Sequence, residues 1–168
     1  KNVYALKNGW GPIPALITSG TDAIPGTCVG ASFYRSADGG WVLVAGSRTK
    51  LYRLIGSVWS DYTRIAGGDY NVPESDYWDF DQYGTKLIAT NITDDVQVLD
   101  IDGGDTAFSA LAGTPPKARY VAVVGDFVVL AALATNQRKL HNSSINSAVG
   151  WTVGTSFCDE QEFPDGAK

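Results

Sequence analysis

The chain has 168 residues, a formal net charge of −5 and 19 glycines, and 18% of its residues are charged. This length fits one domain with a sizeable hydrophobic core. The acidic balance argues against nucleic acid or an acidic membrane as a partner. The composition is neither that of a disordered chain nor that of a coiled coil, and it is typical of short strands joined by many turns.

The chain contains no methionine, even at its first position. A natural open reading frame of this length rarely lacks methionine, so we expect the sequence to be an excerpt of a longer protein. No apolar run approaches the roughly 18 residues that a membrane-spanning helix needs.

Residues 1–27 predict an extended N-terminal arm. Its segment Gly9-Trp-Gly-Pro-Ile-Pro14 places two prolines and two glycines in six residues. Such a segment is incompatible with a helix and with a central strand of a sheet. Pro25-Gly26 marks a turn before the regular part of the chain begins.

Three stretches about 40 residues apart then share one pattern. Each has an aromatic residue, a glycine, a short apolar run ending in small residues, a polar turn, a second short run and another aromatic residue. The repeats cover residues 28–65, 76–111 and 117–153. Several short strands per repeat at this period indicate a β-propeller. We therefore predict one all-β domain over residues 1–168, with about three blades of short antiparallel strands after the arm. Residues 154–168 would begin a further segment of a larger propeller.

Within the repeats, Phe127–Leu133 is a continuous apolar run that we predict to be a strand because of its β-branched residues and the preceding Gly125-Asp126. The polar segment 142–149 predicts a loop, and no segment predicts an amphipathic helix. Small residues suit the crowded inner strand of a blade, and they occur at Ala45-Gly46, Ala89 and Ala131-Ala132.

Large aromatics recur near the end of each repeat, at Trp59, Phe108 and Trp151. We predict that they lie on outer strands and pack between blades, because large aromatics dominate the energetics of cores. The alternative is that the tryptophans form a platform for sugar binding.

Cys28 and Cys158 match no metal-binding spacing. We predict two buried, reduced side chains, and whether they form a disulfide stays open because sequence spacing does not decide it. Low use of cysteine is compatible with assembly in a reducing cytoplasm.

Catalytic and metal-binding patterns are weak throughout the chain. His141 is the single histidine, and no nucleophile motif lies near it, so we interpret it as an ordinary strand or turn residue. The acidic residues Asp94, Asp95, Asp100, Asp102 and Asp105 do not have the spacing of a calcium-binding loop and predict a solvated turn. The acidic run from Asp159 to Asp165 is equally weak. We predict no catalytic, cofactor-binding or metal-binding residues and no cofactor.

A family resemblance covers nearly the whole chain. It is carried by aromatic and glycine motifs, namely Asn2-Val-Tyr4, Asn8-Gly-Trp-Gly-Pro-Ile-Pro14, Val44-Ala-Gly46, Leu51-Tyr-Arg-Leu54, Trp59-Ser-Asp-Tyr62, Trp78-Asp-Phe80, Tyr83-Gly84, Ile88-Ala-Thr-Asn91, Pro116-Lys-Ala-Arg-Tyr120, Val124-Gly-Asp-Phe-Val-Val129, Trp151-Thr152, Asp159-Glu-Gln161 and Phe163-Pro-Asp-Gly166. These motifs resemble those of tail-hub, nozzle or DNA-stabilisation proteins of short-tailed bacteriophages. The sequence departs from that family at Lys139-Leu-His-Asn142, where an Arg-Trp-Ser-like strand end is more usual.

The resemblance implies a longer protein with a β-propeller, present in typically six copies that ring the tail axis below the portal and adaptor. It implies a structural role in the virion tail, with no enzymatic activity and with assembly in the bacterial cytoplasm. The expected partners are other copies of the chain, portal or adaptor proteins, and a tail fibre, spike or needle. Packaged DNA would pass through without sequence-specific contact, and no membrane is expected in the assembled state.

Two other functions remain as alternatives. A carbohydrate-binding propeller would expose Trp59 or Trp151 in a pocket, where sugars could stack on the ring. A propeller hydrolase would need carboxylates at the ends of the inner strands, and the glycine- and alanine-rich runs supply few of them.

Overall fold

The computed structural model describes residues 3–6, 9–12 and 22–164. In this part of the chain the protein is all-β and contains no helix. It therefore has no helix there that could cross a membrane.

The strands form one hairpin and three four-stranded antiparallel sheets. The hairpin pairs β1 (Val3–Leu6) with β2 (Gly9–Pro12). The first sheet contains β3 (Gly30–Arg35), β4 (Trp41–Gly46), β5 (Leu51–Ile55) and β6 (Val58–Asp61). The second contains β7 (Asp79–Tyr83), β8 (Lys86–Thr90), β9 (Gln97–Asp100) and β10 (Ser109–Ala110). The third contains β11 (Ala118–Val124), β12 (Phe127–Leu133), β13 (Asn136–Asn142) and β14 (Asp159–Glu162).

Each sheet is a meander, in which every strand pairs with the next one along the chain. Tight glycine turns make this possible, as at Gly84 and Gly125, where φ is +61° and +58°. Turns with positive φ at the first central residue match the right-handed twist of the strands they join. The all-β class and the strand at Phe127–Leu133 are confirmed, and so is the loop predicted over residues 142–149, except that Asn142 is the last residue of β13.

The hydrophobic core lies between the sheets in two clusters. The first cluster joins Val42, Val44 and Leu51 of the first sheet to Leu87 and Leu99 of the second. The second cluster joins the opposite face of the second sheet to the third, and its members include Ile88, Val96, Val121, Val128 and Leu130. The second sheet is thus covered on both faces.

The first strands of the sheets are the elements that meet, β3 with β7 and β7 with β11, and β11 also contacts β8. The prediction that the small-residue runs form the inner strands is wrong, because Ala45-Gly46, Ala89 and Ala131-Ala132 lie on the second strands β4, β8 and β12. Gly46 instead leaves room for the ring of Trp78, which lies in the position that a side chain there would occupy.

The third repeat also differs from the prediction. Its fourth strand is β14, which pairs with β13 and lies beyond residue 153. Residues 159–162 therefore complete the third sheet, whereas the sequence suggested the start of a further segment. Trp151 lies in the long loop before β14 and is not on an outer strand. The loop between β13 and β14 is longer than the corresponding loops of the other two sheets. The fourth strand therefore begins later in the sequence than the repeat predicts.

The N-terminal arm contains the β1–β2 hairpin, which the proline and glycine content did not predict. Both strands of a two-stranded sheet are edge strands, so Pro12 needs no ladder partner for a missing N–H. The rest of the predicted arm within residues 1–21, and residues 165–168 of the predicted further segment, lie outside the described residues. The three sheets do not close on themselves, and each is an open meander.

Candidate assembly surfaces

We call the contact between two neighbouring sheets a joint. At the joint between the first and second sheets, the side chain of Gln82 bonds to the backbone of β3. Gln82 of β7 donates from Nε2 to the carbonyl oxygen of Arg35 at 2.9 Å, and its Oε1 accepts from the Arg35 N–H at 3.3 Å. The carboxamide therefore offers β3 the donor and acceptor that a neighbouring strand would offer. This pair fixes β7 against β3 along the strand direction.

The joint between the second and third sheets uses carboxylates in the same way. Asp79 Oδ2 accepts the N–H of Val121 at 2.9 Å, and Asp81 Oδ2 accepts the N–H of Val123 at 2.6 Å. Thr90 Oγ1 adds a bond to the carbonyl oxygen of Ala118 at 2.7 Å. Burial raises the pKa of Asp79, and the hydrogen bond from Val121 only partly offsets this effect. These aspartates therefore bind neighbouring backbone and do not form a free carboxylate pair for catalysis.

Trp78 precedes β7 and wedges against the first sheet. Its Nε1–H donates to the Ser47 carbonyl oxygen at 2.9 Å, and its backbone N–H donates to the Val29 carbonyl oxygen at 3.0 Å. Its ring meets Tyr70 edge-on, with 4.8 Å between ring centroids. The indole is buried, and its one polar group is satisfied, as a core tryptophan requires.

The outer face of the first sheet is apolar and exposed. We call it the first open face, and it is formed by Phe33, Arg35, Trp41 and Leu43. Phe33 and Trp41 are each 62% exposed, although their rings contact each other at 5.4 Å between centroids. Arg35 adds a cation over the Trp41 ring, 5.7 Å from its centroid. Exposed apolar side chains that adjoin one another, unlike scattered ones, often mark an interaction surface.

The same positions are core positions in the other two sheets. Phe33 pairs with Leu43 in the first sheet, as Phe80 pairs with Ala89 in the second and Val121 with Leu130 in the third. Of the equivalents in sheets two and three, Ala89 and Leu130 are fully buried and Val121 is 6% exposed. The first open face therefore has the pattern of a covered joint, but no sheet formed by residues 22–164 covers it.

The outer face of the third sheet is the counterpart at the other end. We call it the third open face, and it is formed by Val124, Phe127, Val129, Leu140 and Phe157, with Asp159 at its edge. Phe157 is 77% exposed and Val124 is 59% exposed.

Strand register again gives the equivalent positions. Val129 pairs with Ala122, as Ile88 pairs with Asp81 and Val42 pairs with Tyr34. Ile88 and Val42 are buried beneath the next sheet, whereas Val129 is only half-buried. The third open face therefore also has the pattern of a joint, and none of the sheets within residues 22–164 covers it.

The acidic residues singled out in the sequence are held by protein partners. Asp94 is buried and pairs with Arg64 at 3.0 Å, so the prediction that it lies in a solvated turn is wrong. Asp95 pairs with Lys117 and Asp100 with Lys86, each at 3.4 Å. Asp102 and Asp105 accept backbone N–H groups and lie in or beside the predicted turn. Within residues 22–164, no three His, Cys, Asp or Glu side chains are arranged to hold a metal ion.

His141 and Cys158 lie together, with 3.3 Å between His141 Nε2 and Cys158 Sγ. Spacing in sequence did not reveal this pair, because β14 brings Cys158 beside β13. Burial lowers the pKa of His141 and raises that of Cys158. Both shifts favour the neutral forms and oppose a thiolate–imidazolium pair, which a nucleophilic cysteine needs. The pair is buried against Trp151, whose ring centroid lies 5.5 Å from that of His141.

The other predicted side chains fall in varied surroundings. Cys158 is buried and free, as expected, but Cys28 is exposed and free, so its predicted burial is wrong. Cys28 precedes β3 in an extended segment, where no sheet covers it. Glu160 and Glu162 of the terminal acidic run form ion pairs with Lys139 and Arg138.

Of the three aromatic residues predicted to lie on outer strands and pack between blades, only Trp59 lies on a strand, and only Phe108 and Trp151 lie in core clusters between sheets. Phe108 is buried in the first core cluster, and its N–H bonds to the Tyr62 carbonyl oxygen of the neighbouring repeat. Trp151 is buried in the second cluster, and Trp59 on β6 is half-buried. Among the four tryptophans of residues 22–164, the one that is widely exposed is Trp41, which the sequence did not single out for binding. It borders a groove that also contains Arg53, Tyr62 and Asp102.

No protein-family model matches the chain, and no curated protein matches it.

Proposed function

We propose that this chain is a structural component of a bacteriophage virion tail, at the tail hub or nozzle, and that its sheets are blades of a β-propeller. Copies of the chain, about six, ring the DNA conduit. They dock to portal or adaptor proteins on one side and to a fibre, spike or needle on the other. The chain acts through its shape and its interfaces and has no enzymatic role. It assembles in the bacterial cytoplasm, and no membrane takes part.

The observation that carries this proposal is the pair of open apolar faces at opposite ends of the sheet series. Exposed aromatic and aliphatic side chains at positions that are otherwise core positions fit a protein that works by contact with other protein. Fold alone does not imply such a role. The motif resemblance to tail proteins of short-tailed phages supplies the virion context.

Two further features support the proposal. The three sheets are meanders whose first strands contact one another in turn, β3 with β7 and β7 with β11. Blades of a propeller would need this arrangement. The net charge of −5 suits a conduit, because a protein without excess positive charge does not hold the phosphate backbone of passing DNA.

Deletion of the gene from its phage tests the role. We expect particles without a complete tail, with infectivity lost and then restored by the wild-type gene supplied from a plasmid. The variant Ile65→Asp serves as a matched control, because Ile65 is 89% exposed in a loop that belongs to neither open face, and it should also restore infectivity. Normal, DNA-filled and infectious particles after deletion would contradict the proposal.

Carbohydrate binding remains a second candidate because of the groove beside Trp41. An exposed indole next to Arg53, Tyr62 and Asp102 offers a stacking surface with hydrogen-bonding groups around it. Soluble glycans should then quench tryptophan fluorescence in the wild type, and the quenching should disappear in Trp41→Phe. Equal quenching in both proteins, or none, would exclude this site.

A further inference from the structure

Cys158 is the one buried side chain in the last part of the third sheet, residues 152–162. It is 1% exposed, and its Sγ lies 3.3 Å from Nε2 of His141 on β13. From the outside, β14 is held by its backbone pairing with β13 and by two partly exposed ion pairs. Ion pairs in contact with water contribute little to stability. The buried contact between Cys158 and His141 is therefore the main side-chain anchor of β14.

The turn that leads into β14 is held in a strained shape. Ser156 and Phe157 have φ values of +48° and +63°, in the left-handed region that residues other than glycine seldom adopt. Such residues persist where the surrounding contacts impose the conformation. Asn142 Nδ2 donates to the carbonyl oxygen of Phe157 at 2.8 Å, and the N–H of Ile145 donates to that of Ser156 at 2.9 Å. Cys158 follows directly, so loss of its buried contact would let this turn relax.

The surroundings of His141 suit a neutral imidazole. Its partner on β12 is Leu130, which is fully buried and carries no charge. From the loop before β14, the ring centroid of Trp151 lies 5.5 Å from that of the imidazole. Burial raises the pKa of the Cys158 thiol, so the thiol is neutral as well. The imidazole is therefore packed directly against uncharged side chains.

Two carboxylates on β14 are the charged groups that favour protonation of His141. Glu160 is its partner in the strand register, and Asp159 is next to Glu160. Glu160 is already paired with Lys139, and within residues 22–164 no carboxylate forms an ion pair with His141. Burial has the larger effect and lowers the pKa of His141. A buried imidazolium would lack a direct counterion here, and such a charge is costly.

Protonation also changes the hydrogen bond between the two side chains. A neutral imidazole has one nitrogen that donates and one that accepts, whereas both nitrogens of the charged form are donors. The sulfur of a neutral thiol is only a weak acceptor. The contact between His141 and Cys158 would then hold a buried cation against a poor partner, so acid weakens the anchor of β14.

We propose that β14 and the turn before it, residues 154–162, form an acid-released segment of the third sheet, with the contact between His141 and Cys158 as its pH-sensitive anchor. When His141 is protonated, this segment detaches from β13 while the other strands stay folded. Local opening of this kind is expected first at edges with few buried contacts. The inference rests on the third sheet alone, and neither the propeller arrangement nor the virion role enters it.

The pH range of the release follows from the direction of the pKa shift. In the detached form, His141 is in contact with water and has its ordinary pKa of about 6.5. In the attached form its pKa is lower. The attached form is thus fully favoured above about pH 6.5, and its advantage falls as the pH drops from there through the lowered pKa.

The accessibility of the Cys158 thiol tests the proposal. Cys28→Ser leaves Cys158 as the single thiol of the 168-residue chain. Its rate of reaction with 4,4′-dithiodipyridine, divided by the rate for the same protein in concentrated urea at the same pH, measures how often the segment opens. We expect this ratio to rise at least about threefold from about pH 7.5 to about pH 5. Far-UV circular dichroism should show that the rest of the protein stays folded over this range.

His141→Gln in the same background is the decisive variant, because its carboxamide cannot take up a proton. Its ratio should not change with pH, and His141→Asn replaces it if it does not fold. Glu160→Gln is the matched control. It removes the ion pair with Lys139 but keeps the imidazole, so the pH dependence should remain.

Three outcomes would overturn the inference. The first is a ratio that does not change with pH in the Cys28→Ser protein. The second is a pH dependence that persists in His141→Gln or disappears in Glu160→Gln, which would assign it to a carboxylate. The third is a rise that coincides with loss of the far-UV signal, since acid would then unfold the whole protein. None of these results bears on infectivity after gene deletion.

Discussion

Three side chains of a single strand join the three sheets. Gln82 bonds to the backbone of β3, while Asp79 and Asp81 bond to the backbone of β11. Alternation along β7 makes this possible, since odd and even residues point to opposite faces. Hydrogen bonds to a charged acceptor are stronger than neutral ones, but burial of the charge opposes them. The pKa of Asp79 is raised because the effect of burying its charge is larger than the effect of its hydrogen bonds.

The balance at Asp79 predicts a pH-dependent effect of Asp79→Asn. In the wild type the folded pKa lies above the ordinary value of 3.8, so stability falls as pH rises through the window from 3.8 to the raised pKa. In Asp79→Asn the side-chain amide oxygen still accepts the Val121 N–H, but no charge is buried. The variant should thus be more stable than the wild type near neutral pH, and the difference should vanish below that window. Urea unfolding of both proteins from about pH 3 to about pH 7 measures it.

Asp79→Ala is the matched control for this prediction. It removes the acceptor as well as the charge and leaves the Val121 N–H unsatisfied, so it should destabilise the protein by about 1–3 kcal/mol at every pH. Equal stability of the wild type and Asp79→Asn across the whole range would contradict the raised pKa.

At the scale of elements, the joint between the first and second sheets depends on how closely Trp78, which precedes β7, approaches the end of β4. β4 ends at Gly46, and the Trp78 ring before β7 occupies the space beside it. A Cβ at position 46 would overlap Cδ1 of Trp78, far inside any real contact. The indole cannot shift freely, because its Nε1–H is bonded to Ser47 and its edge is packed on Tyr70.

Gly46→Ala should therefore destabilise the protein by about 1–3 kcal/mol, the usual cost of overpacking a core. Gly40→Ala is the control, since a Cβ there meets only the ends of the Asp38 and Ser36 side chains, at 3.1 and 3.2 Å. Both free energies of unfolding come from urea titration. A cost for Gly46→Ala no larger than that for Gly40→Ala would show that the joint tolerates a wider spacing.

At the scale of the whole molecule, the second sheet couples the other two. Leu87 and Ile88 are adjacent on β8, and both are fully buried, but they belong to different core clusters. Within residues 22–164, the second sheet is the element that covers one face of the first sheet and one face of the third. We therefore expect residues 22–164 to unfold as one cooperative unit.

Leu87→Ala and Ile88→Ala test this coupling, and each should cost about 2–5 kcal/mol through the cavity it opens. Each variant should still show one transition, with the same midpoint by tryptophan fluorescence and by far-UV circular dichroism. Lys86→Ala on the same strand is the control and should cost less than about 1 kcal/mol, because its ion pair with Asp100 is partly exposed. Two separated transitions in either core variant would show that the sheets unfold independently.

Local signals in the sequence determined the all-β class, most strand positions and the threefold repeat. β-branched runs such as Phe127–Leu133 and turn glycines such as Gly84 act within a few residues, so they can be recognised without a fold. The same signals gave a wrong position for the last strand of the third repeat, because nothing in the local sequence indicates how long the loop before β14 is.

Only the tertiary structure decided which strands meet and what the polar residues do. The bonds from Asp79 to Val121 and from Gln82 to Arg35 join residues more than 40 positions apart. The burial of Trp151 and the exposure of Trp41 likewise depend on which face of each sheet has a neighbour. An aromatic residue at a repeat position looks the same in sequence whether or not another sheet covers it, because burial is a property of the packed sheets and not of the strand alone.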